Sequence, residues 1–314
     1  MSAKPGVRFR SGFVSIIGRP NAGKSTLLNA LVGEKLAIVS EKPQTTRTSI
    51  QGVLNMDGAQ IVFLDTPGIH RSSTLLNRRM METVRSSLED RDAILYLADA
   101  TGPFSEDDIQ ALDVIRNLKT PTLLLLTKVD RLADKRLLLP RIEQWKAVRE
   151  FDEYIPISAV TGEGLNRVRA AILARLPEGP AYFPPDYITE QPERFLAAEI
   201  IREHILRQTR QEVPHSAAVV IDRWEETTRL TKVSATIYVE RAGQKAIIIG
   251  SGGAALKKIG TLARQEMEAK FSRKIFLELF VKVRKDWRES REFLDAIDWR
   301  SMRGRELDSE PNQD

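Results

Sequence analysis

The segment Gly18-Arg19-Pro20-Asn21-Ala22-Gly23-Lys24-Ser25 constrains this chain more than any other eight residues in it. It fits G-x-x-x-x-G-K-[ST] and lies between an apolar run, Phe13-Val14-Ser15-Ile16-Ile17, and a helical pattern at Lys24–Val32. Strand, glycine-bearing turn and helix in that order gather backbone N–H groups around an anion at the positive end of a helix. Lys24 is then placed for the β and γ phosphates of a nucleotide and Ser25 for Mg2+, with Asn21, Ala22, Gly23 and Thr26 completing the loop.

Downstream, short apolar runs alternate with helical patterns. Ile61–Leu64, Ala93–Leu97 and Thr122–Leu126 read as parallel strands covered on both faces, Gln51–Leu54 as an edge strand, and Tyr154–Ile157 as a short last one. Helices are expected at about 75–88, 105–117, 138–151 and 165–176. The alternation predicts an α/β, doubly wound, mostly parallel sheet.

Three further segments narrow the nucleotide to guanine. Asp65-Thr66-Pro67-Gly68 follows a strand, where Asp65 can hold Mg2+ through water and the Gly68 N–H can sense a γ phosphate. Thr127-Lys128-Val129-Asp130 follows the next buried strand but one, and the Asp130 carboxylate can accept from both N1–H and the exocyclic amine of guanine. Ser158-Ala159 follows the last strand, and its backbone N–H suits guanine O6. Adenine offers neither the donor pair nor the carbonyl, which disfavours a P-loop phosphotransferase or ATPase.

These boxes, in this order, resemble the translation-factor-related class of regulatory GTPases. The resemblance implies a switch threonine in Gln44-Thr45-Thr46-Arg47, with Thr46 as the Mg2+ ligand and Thr45 as the fallback. Lys24, Thr46, Gly68 and Asn21 are the residues expected to act in hydrolysis. Two departures matter. Ile69 stands where Ras-like enzymes place a water-orienting glutamine, so a slow intrinsic rate is expected. Asn21 is where related potassium-dependent GTPases hold a monovalent cation, implying K+ as a second ion that adds positive charge at the transition state. Thr127 in place of the commoner Asn is expected to weaken one bracing hydrogen bond. His70, Arg71 and His204 read as ordinary structural side chains.

Between Leu176 and Glu193 lie five of the fifteen prolines, at 177, 180, 184, 185 and 192. Their density predicts an extended, stiff linker over 177–192, dividing a GTP-binding domain (1–176) from a second domain (193–288). Residues 193–212 read as a helix with Phe195, Ala198, Ile201 and Ile205 on one stripe, and alternating strands follow near 217–221, 233–239 and 277–283. Helix, strand, strand, helix, helix, strand is a small α+β domain.

Charge singles out one part of it. The chain carries 48 basic and 43 acidic side chains, a net +5, but residues 241–288 alone hold 12 basic and 4 acidic. The flanks 181–240 and 289–314 are acidic, the latter read as an acidic tail. At the centre of the basic window is Gly250-Ser251-Gly252-Gly253, a G-x-x-G loop set between helical segments at 244–249 and 254–259. Such loops clamp a nucleic-acid backbone, and Lys245, Lys257 and Lys258 supply the field for its phosphates. No aromatic platform is evident near the loop, so apolar contacts and hydrogen bonds are expected to read the bases. The element order resembles the type II KH fold.

The chain has no Cys, which excludes disulfide scaffolds, thiolate metal sites and thiol chemistry. No apolar run approaches 18 residues, and the start lacks a signal-peptide core, so neither a membrane span nor export is expected.

A P-loop GTPase domain, a proline-rich linker and a type II KH domain together resemble the Era family. Further matches are Arg194-Phe195-Leu196-Ala197-Ala198-Glu199-Ile200-Ile201-Arg202-Glu203 and Gly243-Gln244-Lys245. The resemblance implies a monomeric, cytoplasmic GTP/GDP switch that binds the 3′ end of small-subunit ribosomal RNA and assists 30S subunit assembly, with peripheral membrane association in some members. The alternative is a signalling switch whose KH-like domain binds a protein.

Overall fold

The computed structural model describes residues 8–42, 44–69, 73–209 and 213–300. It divides into two compact units, Met1–Val39 with Thr46–Ser72 and Asn77–Glu190, and Ser40–Thr45 with Ser73–Leu76 and Gln191–Asp314.

The first unit is built on a six-stranded sheet in the order β2-β3-β1-β4-β5-β6. Its strands are β1 (Arg10–Gly18), β2 (Ile50–Met56), β3 (Ala59–Asp65), β4 (Ala93–Asp99), β5 (Thr122–Thr127) and β6 (Glu153–Pro156). Only β2 is antiparallel to its neighbour, because a two-residue turn joins it to β3; every other pairing is parallel. Helices α1 (Lys24–Val32), α2 (Leu75–Ser86), α3 (Glu106–Ile115) and α4 (Leu138–Val148) connect the strands, and α5 (Leu165–Leu173) follows the last of them. Leu123, Leu124, Leu125 and Leu126 are all fully buried, as a parallel strand with helices on both faces requires. The strand order reverses at β1, so the carboxyl ends of β1 and its neighbours open onto a crevice, the usual ligand position in such sheets. Gly18, Asp65, Asp99 and Thr127 end four of these strands, which brings sequence-distant boxes to one rim.

The segment expected as an extended, stiff linker belongs to the first unit as far as Glu190. The Val53 N–H donates to Ile188 O at 2.7 Å and the Thr189 hydroxyl to Gln51 O at 2.7 Å, so the chain runs along the outer edge of β2. Fully buried Gln60 accepts from the Tyr182 and Phe183 N–H groups at 2.7 and 3.0 Å and donates to Phe183 O at 2.8 Å. Proline richness here supplies an extended strap without the helix or hairpin that would compete with these bonds.

The second unit contains a three-stranded sheet, β7 (Ala218–Glu226), β8 (Thr231–Val239) and β9 (Ile275–Val283), with β7–β8 antiparallel and β8–β9 parallel. One face carries α6 (Glu193–Gln208) and α9 (Ala254–Phe271), which share a core of Ile201, Ile205, Val233, Ala235, Ile237, Ile259, Ala263 and Met267. Helix α6 is not a one-stripe amphipath. Leu196, Ala197, Ile200 and Leu206 are buried along with the expected stripe, which is why its sequence periodicity is weak. His204 is buried as well, bonded through Nε2 to Glu266 at 2.9 Å.

The unit does not end at 288. A short turn at Trp287–Glu289 and helix α10 (Arg291–Ala296) follow, with Trp287, Phe293, Leu294 and Trp299 buried. Trp287 donates from Nε1 to Ser216 O at 2.9 Å, and Phe293 packs edge-on to Tyr238 of β8. The acidic count of 289–314 masked large apolar side chains that close the core. Two short helices, α7 (Val213–Ser216) and α8 (Ala242–Ile249), complete the unit.

Candidate functional site

The loop from Gly18 to Ser25 turns by placing Asn21 at φ 61° and Gly23 at φ 96°. Alternation of left- and right-handed residues points consecutive N–H groups to one side, the geometry of an anion nest. Asn21 is exposed at the loop's crest, and Ala22 is buried beneath it. Lys24 opens α1 and is almost wholly buried, its amine donating to Gly18 O at 3.1 Å and Arg19 O at 2.9 Å. Burial lowers the pKa of this amine to about 8 against the opposing pull of Asp65.

Three oxygens converge beside it. Ser25 Oγ lies 2.6 Å from Asp65 Oδ2 and 2.8 Å from Thr46 Oγ1, and Thr46 Oγ1 lies 3.4 Å from the same carboxylate oxygen. The other oxygen, Asp65 Oδ1, is buried without a hydrogen-bond partner among the described residues. Burial raises the Asp65 carboxyl to about 6, more than Lys24 and the hydroxyls of Ser25 and Thr46 can lower it. A buried, under-satisfied carboxylate with two hydroxyls is an all-oxygen set suited to a hard divalent cation, so these residues fit Mg2+. Thr46 joins the cluster, whereas the Thr45 hydroxyl donates back to Lys42 O at 2.6 Å.

Gly68 sits against the phosphate loop so closely that a Cβ there would lie 2.9 Å from Pro20 Cα. Only glycine brings its backbone N–H this near the loop. Ile69 is 3% exposed and packs with Ile17, Val84 and Ala98 in the core. Its side chain is thus buried away from water as well as unable to bond it. His70 and Arg71 lie outside the described residues.

On the other side of the loop, Thr127 Oγ1 reaches Ala22 O at 2.8 Å and Ala98 O at 3.2 Å. The threonine thus braces the phosphate loop through its hydroxyl. Lys128, at φ 61°, donates from Nζ to Asp99 Oδ2 at 2.7 Å. Asp130 is exposed at the rim. Of the two backbone donors in Ser158-Ala159, that of Ser158 is engaged with Glu163 O at 3.0 Å. Sequence reading missed Asp99 and Arg19: Asp99 ends a strand in none of the expected boxes, and Arg19 looks like filler between glycines.

In the second unit, Gly250, Gly252 and Gly253 adopt φ of 72°, 55° and 81°, joining α8 to α9 in a tight turn. A Cβ on Gly252 or Gly253 would meet nothing within 4 Å, so this backbone is open to a ligand. Ser251, Lys257 and Lys258 are exposed and Lys245 is partly so. Gln244 fixes the start of α8 by accepting from the Glu240 and Arg241 N–H groups, each at 3.0 Å. Ile247 of α8 is 52% exposed, an apolar surface next to the loop.

Fold and site together define a class: a P-loop GTPase with a C-terminal KH domain. Residues 13–128 match the family described as "50S ribosome-binding GTPase" and residues 212–288 the KH domain family. The chain is 50% identical over 291 residues to GTPase Era of Geobacter metallireducens, covering 92% of this chain and 97% of that one. It is 46% identical to GTPase Era of Staphylococcus haemolyticus, over 91% and 95% of the two chains. The structure of a point variant of Aquifex aeolicus Era bound to GDP·AlF4− superposes with a TM-score of 0.90 at 41% identity, covering 93% of this chain and 99% of that one. An Era structure in complex with MgGDPNP and nucleotides 1506–1542 of 16S ribosomal RNA gives the same score, identity and coverage. This chain belongs to the Era family of GTPases.

Proposed function

We propose that this GTPase binds the 3′ end of small-subunit ribosomal RNA through its KH domain and assists 30S subunit assembly, with GTP controlling the binding. The observation that carries the reading is the likeness, at a TM-score of 0.90, to an Era structure holding a GTP analogue and nucleotides 1506–1542 of 16S ribosomal RNA. The open backbone of Gly250–Gly253 supports it, with Lys245, Lys257 and Lys258 facing phosphates and Ile247 offering an apolar face to a base.

In the nucleotide site, Ala22, Gly23, Lys24, Ser25 and Thr26 hold the phosphates. Asp130 selects guanine, with Thr127 and Lys128 shaping the pocket and Ala159 facing O6. Ser25, Thr46 and, through water, Asp65 would hold Mg2+, which would supply positive charge to neutralise the phosphates. The Gly68 N–H and Thr46 change position according to whether a γ phosphate is present. With Ile69 in the core, Asn21 would hold K+, which would supply the missing transition-state charge. Ordering of residues around 40–50 and 66–80 then alters how the KH domain is held.

The protein works as a monomer in the cytoplasm, where its RNA is. Any association with the inner face of the membrane is peripheral and ionic; no single helix among the described residues is long and apolar enough to cross a bilayer. The test is titration of the full chain with a 16S 3′-terminal fragment. Gly252→Asp abolishes RNA binding and leaves GDP binding intact; RNA crosslinks centred away from residues 244–258 would instead favour a protein-binding KH module.

A further inference from the structure

Arg19 lies inside the phosphate loop, and its guanidinium lies beside two carboxylates. Arg19 Nε is 3.4 Å from Asp108 Oδ1 and Arg19 Nη2 is 3.9 Å from Asp99 Oδ2. Asp108 belongs to α3 and is 2% exposed; its Oδ2 accepts from the Ser105 N–H and hydroxyl at the start of that helix. Among the described residues its Oδ1 is buried with no hydrogen-bond partner, and so is Arg19 Nε, so each has the other as its charged neighbour. Asp99 is the hub. Its Oδ1 accepts from the Thr101 N–H at 2.9 Å and hydroxyl at 2.6 Å, while its Oδ2 accepts from Lys128 Nζ at 2.7 Å. The Arg19 and Lys128 side chains are 21% and 25% exposed, so this chain of charges is only partly screened by water.

Arg19 is not free to serve as a cationic finger on the phosphates while it is paired with these two carboxylates. Furthermore, the loop that grips phosphates and the loop that reads the base share one carboxylate. We propose that Arg19, Asp99 and Asp108 form a bridge that positions the base-reading loop through Lys128, making guanine selectivity depend on a residue of the phosphate loop. Removing Arg19 leaves buried Asp108 without its cation and Asp99 with Lys128 as its one cationic partner among the described residues, so the added negative charge acts on Lys128 alone. The Thr127–Asp130 turn shifts with it, and the hydrogen bond of Asp130 with the exocyclic amine of guanine suffers first.

The inference rests on Asp130 as the guanine reader, and the experiment tests that separately. Affinities of the full chain for GDP and IDP, which differ only in that exocyclic amine, are measured for the wild type, R19A, R19K, D99N, D108N and D130N, with xanthosine diphosphate added for the wild type and D130N. R19A is expected to lower the preference for GDP over IDP by about threefold or more, with R19K restoring most of it. The double variant R19A/D99N is expected to lose no more than the larger single loss, since both break one bridge. Equal weakening of GDP and IDP in R19A would overturn the proposal, because it would confine Arg19 to the phosphates or to stability. Losses in R19A and D99N that add in full would overturn it too. D130N failing to turn preference toward xanthosine diphosphate would refute the base assignment instead. Thermal unfolding separates misfolded variants, and D108N, which removes charge but keeps the side chain's size, supplies a second route to the same loss of preference.

Discussion

Asp65 and Lys24 are both buried and both displaced toward neutrality, one upward to about 6 and the other downward to about 8. Metal binding requires the carboxylate ionised, and phosphate binding requires the amine charged. Affinity of the free protein for Mg-GDP should therefore rise as pH passes through 6 and fall as it passes 8, a bell read by fluorescent-nucleotide titration; a flat profile over that range would refute it. Gly68→Ala places a Cβ 2.9 Å from Pro20 Cα. We expect it to cut GTP hydrolysis at least about tenfold with GDP affinity kept, as measured by phosphate release, because only the γ-phosphate interaction is displaced. With Ile69 sequestered, hydrolysis should run about tenfold or more faster in K+ than in Na+, and identical rates would remove Asn21 from the chemistry.

Among the elements, the strap along β2 and the closing helix α10 distinguish the three-dimensional structure from its reading in one dimension. Gln60→Ala leaves the Tyr182 and Phe183 N–H groups and Phe183 O without their partner. It should cost about 1–3 kcal/mol in denaturant unfolding and open residues near 183 to proteolysis. Trp287→Ala, at a fully buried site, should destabilise the second unit by about 3–5 kcal/mol. Neither feature was legible beforehand. A buried glutamine between hydrophobic strand residues looks like an edge polar group, and prolines announce extension without saying what the chain lies against. The parallel strands were legible because leucine runs such as 123–126 have one stable environment, buried on both faces. The nucleotide boxes were legible because phosphate, metal and guanine demand fixed residue types at strand ends. Arg19 and Asp99 were not, since a charge pair between sequence-distant residues leaves no local pattern.

At the scale of the molecule, the net +5 resolves into a GTPase domain and a second domain whose basic residues cluster about Gly250–Gly253. If that cluster meets RNA phosphates, Lys257→Ala with Lys258→Ala should lower the slope of log affinity against log salt by about 0.7 for each phosphate no longer neutralised, equally for any RNA sequence. The central claim is that GTP and RNA are linked through one chain, and linkage is reciprocal: if RNA favours one nucleotide state, that state must favour RNA. The decisive measurement is the affinity of the full chain for a 16S 3′-terminal fragment with GDP and with a non-hydrolysable GTP analogue, at fixed Mg2+ and salt. Tighter RNA binding with the analogue is the predicted result, accompanied by tighter binding of the analogue in the presence of RNA. Equal RNA affinity in the two states would contradict the account.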